Sequence, residues 1–165
     1  MNSHHTLSGI PGILRPFKAT IEEIKEGSGK QIVFYGVPGT CLPFVELLCH
    51  AVRTLPFQFV FVPFLNEQSA VMLHEKKNIG FQTGDSVIVS NPAALVIMGG
   101  LAMPQVQVTA REVANVITQY PSIPVIGVCF MHMFEKEGWL DSIHVDCLID
   151  AEVTVSVEYP RSAVL

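Results

Sequence analysis

The sequence predicts a three-layer α/β/α sandwich with a mostly parallel sheet of the Rossmann-like or flavodoxin-like kind. Short, continuously apolar runs alternate along the chain with segments of helical periodicity, which is typical of βαβ units. Such units connect parallel strands through right-handed crossovers. Near the end, residues 153–157 alternate strictly between valine and polar residues, and this pattern favours an antiparallel edge strand.

The individual elements follow from local patterns, taken in chain order. A helix is expected over residues 12–26, where apolar residues recur on one face and Gly27-Ser28-Gly29 follows. Further helices are expected at 42–55, 67–76, 109–120 and 130–138, the third of them capped by Thr109 with Glu112 three residues later. Strands are expected at 31–35, 57–64, 93–98, 124–129, 143–148 and 153–157, and a short strand at 87–89 follows a turn at 82–85.

Size and charge limit the class of protein. A chain of 165 residues, 49% of them hydrophobic, has the material for one domain, so we assign residues 1–10 to a flexible tail and residues 11–165 to a single domain. The net charge is −5 and the basic residues are scattered, so nucleic acid is not an expected partner. No apolar run reaches the roughly 18–20 residues of a membrane span, and the start has no apolar signal core. We expect a cytoplasmic protein without a membrane partner.

The ionisable residues do not predict a metal site. Four cysteines, at positions 41, 49, 129 and 147, form no C-x-x-C pair, and reduced thiols are the simplest interpretation. Asp146, Asp150 and Glu152 could gather a cation, but solvated acidic side chains are the simpler interpretation. The sequence identifies no cofactor.

A ligand site in such a sheet is expected at the carboxyl ends of the strands, near the switch in strand order. This rule selects three loops, at residues 36–41, 99–104 and 129–134. The first loop contains Gly36, Pro38, Gly39, Thr40 and Cys41. It offers backbone N–H groups, a hydroxyl and a helix N-terminus, which together suit an anion. The competing interpretation is a tight turn in which Thr40 only caps the helix.

The second loop follows a buried strand and begins with Gly99, Gly100 and Leu101. Paired glycines let the backbone approach a ligand closely, or leave N–H groups free for an oxyanion. The alternative is a flexible turn that clears the sheet. From this loop we predict that Gly99→Val abolishes ligand binding and leaves the fold intact.

The third loop carries Cys129 at the end of a buried strand. A helix N-terminus there would lower the pKa of its thiol and favour a nucleophilic thiolate, with His132 or His144 as the base. Met131 would line the same site. The alternative is a small buried thiol, since free cysteine is among the most buried residue types. A redox role for Cys129 together with Cys41 also stays open.

Gly99-Gly100 followed by Gly127-Val128-Cys129 resembles the oxyanion loop and nucleophile elbow of class I glutamine amidotransferases. This resemblance implies Cys129 as nucleophile and Gly99 and Gly100 as oxyanion donors. Two features depart from the family pattern. Met131 stands where the second elbow glycine belongs, and the downstream His-x-Glu is missing, which puts the catalytic assignment in doubt.

Four longer motifs together resemble an uncharacterised archaeal family found largely in methanogens. They are Gly9-Ile10-Pro11-Gly12-Ile13-Leu14-Arg15-Pro16-Phe17, Phe34-Tyr35-Gly36-Val37-Pro38-Gly39-Thr40-Cys41, Gly99-Gly100-Leu101-Ala102-Met103-Pro104 and Ile126-Gly127-Val128-Cys129-Phe130-Met131. The resemblance covers nearly the whole chain. It implies a cytoplasmic archaeal protein with a Rossmann-like or flavodoxin-like fold, and it implies no activity.

Three functions remain open at this point. The first is a binding or regulatory protein for a small anionic molecule, because no catalytic base is convincing. The second is a cysteine-dependent, amidotransferase-like hydrolase that uses Cys129. The third is a homodimeric interaction module, suggested by four phenylalanines within one predicted strand: Phe57, Phe59, Phe61 and Phe64.

Overall fold

The structure, a computed structural model, describes residues 5–25 and 27–159. Its helices are α1 (Gly9–Glu22), α2 (Leu42–Ala51), α3 (Ala110–Thr118) and α4 (Met133–Lys136). Its strands are β1 (Gln31–Gly36), β2 (Gln58–Pro63), β3 (Val71–Lys76), β4 (Gly80–Ser86), β5 (Pro92–Met98), β6 (Val125–Phe130) and β7 (Cys147–Ala151). Single turns of 3₁₀-helix lie at Glu67–Ser69, Gly99–Ala102 and Trp139–Asp141.

The seven strands form one mixed sheet in the order β4-β3-β2-β1-β5-β6-β7. The five strands from β2 to β7 in this order are parallel, whereas β3 and β4 pair antiparallel at one edge. Helices α1 and α2 cover one face, and α3 and α4 cover the other. The structure therefore confirms an α/β sandwich with a mostly parallel, Rossmann-like sheet and antiparallel edge strands.

The central strands are buried on both faces, as their continuous apolar sequences predict. All six residues of β1 and all seven of β5 are buried. Alternation divides β1 between the two cores, so that Ile32 and Phe34 pack towards α1 and α2, and Val33 and Tyr35 pack towards α3. A strand covered by helices on both sides needs no polar face, which is why its sequence is apolar throughout.

A partly buried polar cluster joins β1 to the helical layer that contains α3. The hydroxyl of the fully buried Tyr35 donates to Glu67 Oε1 at 2.7 Å, and the Tyr120 hydroxyl donates to the same oxygen at 2.9 Å. Burial and the Glu67 carboxylate raise the pKa of Tyr35 strongly and that of Tyr120 to about 12. Both phenols therefore stay neutral donors, and the cluster ties the turn after β2 and the end of α3 to the sheet.

The helix predicted at residues 67–76 is wrong. Only one 3₁₀ turn forms there, begun by Asn66, whose side chain accepts from the Gln68 N–H at 3.2 Å. The following residues are β3, in which Leu73 is buried opposite Phe59 of β2. Ladder hydrogen bonds to strands on both sides override the helical propensity of this segment.

The turn predicted at residues 82–85 is also misplaced, because those residues lie within β4. The hairpin turn comes earlier, at residues 77–79, where Asn78 adopts a φ of 62°. Asparagine tolerates this left-handed conformation better than most residues. The strand predicted at 87–89 does not form, although the Val87 N–H donates to Ala70 O at 3.0 Å.

The C-terminal strands differ from the prediction. The strand expected at 143–148 lies at Cys147–Ala151 as β7, and residues 153–157 belong to no strand. The predicted antiparallel edge exists, but β3 and β4 form it at the opposite side of the sheet. The alternation of valine and polar residues predicts a strand but does not identify its partner, and no described strand of this sheet pairs with residues 153–157.

The first helix starts earlier than predicted. Helix α1 runs over Gly9–Glu22, so it includes two residues assigned to the tail, and it tolerates Pro16 in its interior. The Thr20 hydroxyl donates to the Pro16 carbonyl at 2.9 Å. Residues 1–4 of the predicted tail and residue 26 of the predicted helix lie outside the described residues. Within the described residues, no helix is long and apolar enough to cross a membrane.

The phenylalanines of β2 do not form an exposed surface. Strand β2 lies between β1 and β3, and Phe59 and Phe61 are buried in the core. Phe59 packs edge-on against Phe81 of β4, with 5.4 Å between ring centroids. Two of the four phenylalanines that suggested dimerisation are therefore core residues, whereas Phe64, directly after β2, is 43% exposed.

Candidate functional site

The three loops selected from the sequence meet at the carboxyl end of the parallel strands. Strands β1 and β5 are neighbours, and the chain adds strands on opposite sides of this pair, so the switch in strand order lies between them. Gly99, directly after β5, packs against Cys129 of β6, and Gly100 packs against Cys41 after β1. The Gly99–Gly100 turn therefore joins the other two loops.

The first loop leads into α2 with an open turn. Gly39 has a φ of 79°, and the Cys41 N–H donates to Val37 O at 2.9 Å. Among the described residues, the N–H groups of Gly39, Thr40 and Leu42 have no hydrogen-bond partner. Cys41, not Thr40, occupies the N-cap position, and no side chain caps the helix. Thr40 is thus exposed at the surface of this turn and is not a helix cap.

The Cys41 thiol points into the protein, away from the open turn. Only 3% of Cys41 is exposed, and the backbone N–H groups of Val37 and Gly100 reach its sulfur. Burial raises the pKa of this thiol and outweighs the two N–H groups, which lower it. Gly100 packs against this thiol, so the second loop contacts the first one at Cys41.

The Gly99–Gly100 turn is built for close packing. A Cβ atom on Gly99 would lie 2.8 Å from the Cα of Cys129 and closer still to its Cβ, so only glycine fits there. Leu101, which the sequence placed among the ligand-binding residues, is fully buried in the core beneath α3 and does not reach the surface of the site. Gly99→Val would therefore damage the fold, contrary to the expectation that it would leave the fold intact.

Cys129 is a buried residue of β6 rather than an exposed elbow. It is 1% exposed, and burial, together with the nearby Asp150 carboxylate, raises the pKa of its thiol to about 12. The N–H groups of Met133 and Phe134 reach the sulfur and oppose this shift only in part. The expectation of a lowered pKa is wrong, because α4 has only one turn and the thiol has lost its solvation.

The backbone elbow lies two residues further on. Met131 and His132 both have positive φ values, 56° and 59°, which are uncommon for residues other than glycine. Met131 is exposed at this corner. Such conformations persist only where surrounding contacts hold them, and they cluster at functional sites.

His132 is held between two carboxylates of the segment that follows β6 in the sheet. Its Nδ1 lies 2.8 Å from Asp150 Oδ2, and its Nε2 lies 2.7 Å from Glu152 Oε1. The His132 backbone N–H also donates to Asp150 Oδ1 at 3.1 Å. The hydrogen bonds to Glu152 and Asp150 raise the pKa of His132. These contacts hold the elbow in place and favour a protonated imidazole.

The sequence did not reveal this arrangement, although it contained all three residues. Asp150 and Glu152 were grouped there with Asp146, which instead accepts the Val125 N–H at 2.8 Å. Within the described residues, no cluster of histidine, cysteine and acidic side chains has an arrangement that could hold a metal ion. The signal that could have found the pair is the parallel pairing of β6 and β7, which sets Cys129 beside Asp150.

The order of the ionisable groups differs from that of a catalytic triad. Asp150 lies opposite Cys129 in the pairing of β6 with β7 and hydrogen-bonds the His132 ring, whereas no described hydrogen bond joins His132 to the Cys129 thiol. In a triad the histidine stands between the nucleophile and the acid. His144 is 90% exposed, and its one described polar contact is Asp146, with Nε2 and Oδ1 3.9 Å apart. The structure does not bring His144 to Cys129.

Cys41 and Cys129 are both free cysteines. Strand β5 separates β1 from β6, and the two cysteines belong to cores on opposite faces of the sheet. This placement gives no support to the redox role that the sequence left open.

An open cleft of about 830 Å³ lies elsewhere, between α2 and the β3–β4 hairpin. Charged side chains of both signs line it, among them Glu46, Glu75, Lys76 and Lys77, together with His50. None of the residues predicted for the site contributes to this cleft.

Titration of His132 tests its contacts with Asp150 and Glu152. We expect its pKa in the folded protein to lie above the value of about 6.5 for free histidine. Glu152→Gln and Asp150→Asn should each lower it, because each removes a carboxylate that stabilises the imidazolium. The stability that His132 gains from these two carboxylates should be fully present below its pKa in the unfolded protein. It should be lost as the pH rises through its pKa in the folded protein. NMR of the imidazole protons measures the pKa, and Glu158→Gln, on the same segment, is the control that should leave it unchanged.

The sequence profile of a family described as "Uncharacterized protein conserved in archaea" (DUF2124) matches residues 8–154. The chain belongs to this archaeal family. An uncharacterized protein of Methanocaldococcus jannaschii, MJ1183, is 33% identical over 150 residues, which cover 91% of this chain and 89% of that protein. An uncharacterized protein of Methanothermobacter thermautotrophicus is 31% identical over 147 residues, which cover 88% of this chain and 90% of that protein.

A crystal structure of a protein of unknown function from Methanothermobacter thermautotrophicus is also similar in fold. It superposes with a TM-score of 0.84 at 27% identity and covers 97% of this chain and 99% of that chain. These comparisons confirm the resemblance to an archaeal family with methanogen members. They name no activity for the family.

Proposed function

We propose that this protein binds a small anionic molecule at the carboxyl ends of β1 and β5. The observation that carries the proposal is the uncapped first turn of α2, where the N–H groups of Gly39, Thr40 and Leu42 have no partner among the described residues. Successive N–H groups around a left-handed residue form a concave anion site. The dipole of the ten-residue helix α2 adds to the attraction.

The position of this turn supports the same proposal. It lies beside the switch in strand order, where ligands of open α/β sheets bind. Phe44 of α2 packs against Phe130 of β6 with 4.5 Å between ring centroids, so the start of α2 borders the β6 elbow. His132 lies at this elbow, but Asp150 and Glu152 already neutralise its charge, so the uncapped turn of α2 itself must hold the anion.

A hydrolase that uses Cys129 has weaker support. The thiol is buried, its pKa is raised to about 12, and neither ring nitrogen of His132 is free to accept its proton, because both contact carboxylates. A binding protein needs none of these groups to react. The anion site and the cysteine chemistry are therefore separable by experiment.

A titration with inorganic phosphate, followed by ¹H–¹⁵N NMR, tests the proposal. We expect saturable shifts concentrated at the amides of Gly39, Thr40 and Leu42. Thr40→Asp should weaken phosphate binding by at least about tenfold, because its carboxylate occupies the same N–H groups, and should stabilise the fold by about 0.5 kcal/mol. The charge-matched control is Gln58→Glu at the start of β2, at the opposite end of the parallel strands. This variant should bind phosphate as the wild type does.

Two results would contradict the proposal. One is a set of phosphate shifts spread over the surface without saturation, which would indicate non-specific ionic contact. The other is an equal loss of binding in Thr40→Asp and Gln58→Glu, which would trace the effect to net charge and not to the turn.

A further inference from the structure

The segment after β7 is exposed and apolar on alternate residues. We call residues 152–159 the C-terminal arm; each of them is exposed, and none belongs to a helix or strand. The exposed fractions of its apolar residues are 54% for Val153, 71% for Val155, 62% for Val157 and 88% for Tyr159. Isolated apolar residues on a surface are ordinary, but four in strict alternation form a continuous strip that water solvates poorly.

The start of the arm has a fixed position. The Glu152 carboxylate meets His132, and the Val153 N–H donates to Met131 Sδ at 3.4 Å. Asp150 and Glu152 both reach His132, so the side-chain alternation of β7 continues into the arm. In an extended strand that continued this alternation, Val153, Val155 and Val157 would share the face that carries Ile149, which is the face covered by α1 and α2.

Strand β7 is an edge strand, and the arm prolongs it. No strand of this chain pairs with the outer side of β7 among the described residues. An open edge followed by an alternating segment has the features of a strand that lacks its partner. A second copy supplies a partner for the open edge of β7 and a partner for the arm, since the arm of one copy can cover the β7 edge of the other.

We infer that the arm pairs antiparallel with β7 of a second copy, so that a two-fold dimer gains one further strand on each sheet. The two arms cross at the two-fold axis, so each contact between a residue of one copy and a residue of the other occurs twice in the dimer. The apolar strip of each arm then continues the apolar face of the partner's β7.

Charge selects the register of this pairing. Residues opposite each other in an antiparallel pair lie on one face of the sheet. The odd-numbered valines must therefore lie opposite odd-numbered residues of the second copy. This condition holds only when the two-fold axis passes through a residue and not between two residues. An axis at Glu152 sets that carboxylate against its own copy, and an axis at Thr154 sets Asp150 against Glu158. An axis at Val153 pairs every acidic residue with a neutral one: Glu152 with Thr154, Asp150 with Ser156, and Glu158 with Leu148.

The proposal is made for this chain. The family profile matches residues 8–154, so most of the arm lies beyond the matched range. The proposal is also independent of the anion site, because the arm contributes no residue to the first turn of α2.

Sedimentation equilibrium of the full chain tests the dimer. We expect a mass of twice the 18.1 kDa monomer at high protein concentration. Val155→Lys should raise the dimer dissociation constant by at least about a hundredfold, because it buries an unpaired charge in the pairing. The matched control is Ile88→Lys, which changes an apolar residue that is 79% exposed outside the arm and should leave the dimer intact.

Oxidative cross-linking tests the register. An axis at Val153 sets the two Cα atoms of residue 153 about 4.5–5.5 Å apart, within the range of a disulfide. In a Cys147→Ser background, which removes the free thiol of the facing strand, Val153→Cys should give a covalent dimer on mild oxidation, and Val157→Cys, which faces Ile149 of the second copy, should not. Circular dichroism should show the same fold for all variants, since each substitution is at an exposed side chain.

The proposal is overturned if the wild-type chain stays monomeric at high concentration, or if a dimer forms and Val155→Lys dissociates no more than Ile88→Lys. A dimer that depends on Val155 and cross-links through Val157→Cys instead of Val153→Cys would overturn the register.

Discussion

Cys129 should resist alkylation in the folded protein and react as an ordinary thiol only after unfolding. The thiolate is the reactive form, and burial raises the pKa of this thiol to about 12. Relative to a free cysteine with a pKa near 8.5, the thiolate fraction at pH 8 falls about 10³-fold. Steric protection slows the reaction further, because the residue is 1% exposed. Peptide mass spectrometry after timed labelling with iodoacetamide measures the rate at each cysteine.

Cys147 supplies the internal control for this experiment, since it is the one cysteine of intermediate exposure. It should label first, well ahead of Cys129 and Cys49. Asp150→Asn should speed the labelling of Cys129 modestly, because the carboxylate raises the thiol pKa. Rapid labelling of Cys129 below pH 9 in the folded wild type would contradict the buried assignment and restore the cysteine hydrolase as the leading hypothesis.

The sequence predicted the centre of the fold better than its edges. Strands β1, β5 and β6 lie in the interior, and burial on both faces left them continuous apolar runs that are recognisable without a structure. Strand β3 has only one buried residue, Leu73, among exposed and partly exposed neighbours. Its strand character comes from ladders to β2 and β4, which no local pattern reports.

The location of the candidate site followed from topology, but its internal contacts did not. The rule on strand ends selected three loops, and the structure joins them through Gly99 and Gly100. The partnership of His132 with Asp150 depends on the pairing of β6 with β7 and on a left-handed elbow at Met131 and His132. Histidine adopts that conformation more readily than most residues, but methionine does not, so propensity gives little warning of two such residues in succession.

Gly99→Ala should destabilise the protein by about 3 kcal/mol, the largest effect expected of any single methyl group in this site. The reason is space and not backbone conformation, because the added Cβ would overlap the backbone of Cys129 in the adjacent strand. Gly39→Ala is the matched control. Its Cβ meets nothing within 4 Å, so the left-handed φ of 79° is its one source of strain and should cost about 1 kcal/mol. Urea unfolding of both variants, compared with the wild type, measures the difference.

A double-mutant cycle decides whether the clash with β6 is the cause. Replacing Cys129 by glycine removes the Cβ that the new methyl group of Gly99→Ala would meet. The backbone of residue 129 stays, and its Cα atom would still lie 2.8 Å from that methyl group. The cost of Gly99→Ala should therefore fall by about 1 kcal/mol in the Cys129→Gly background without disappearing. Equal costs in the two backgrounds would mean that the strand moves aside as a unit. In that case the Gly99–Gly100 turn would not hold β6 against β5. Other contacts would then have to bring the three loops together at the carboxyl end of the strands.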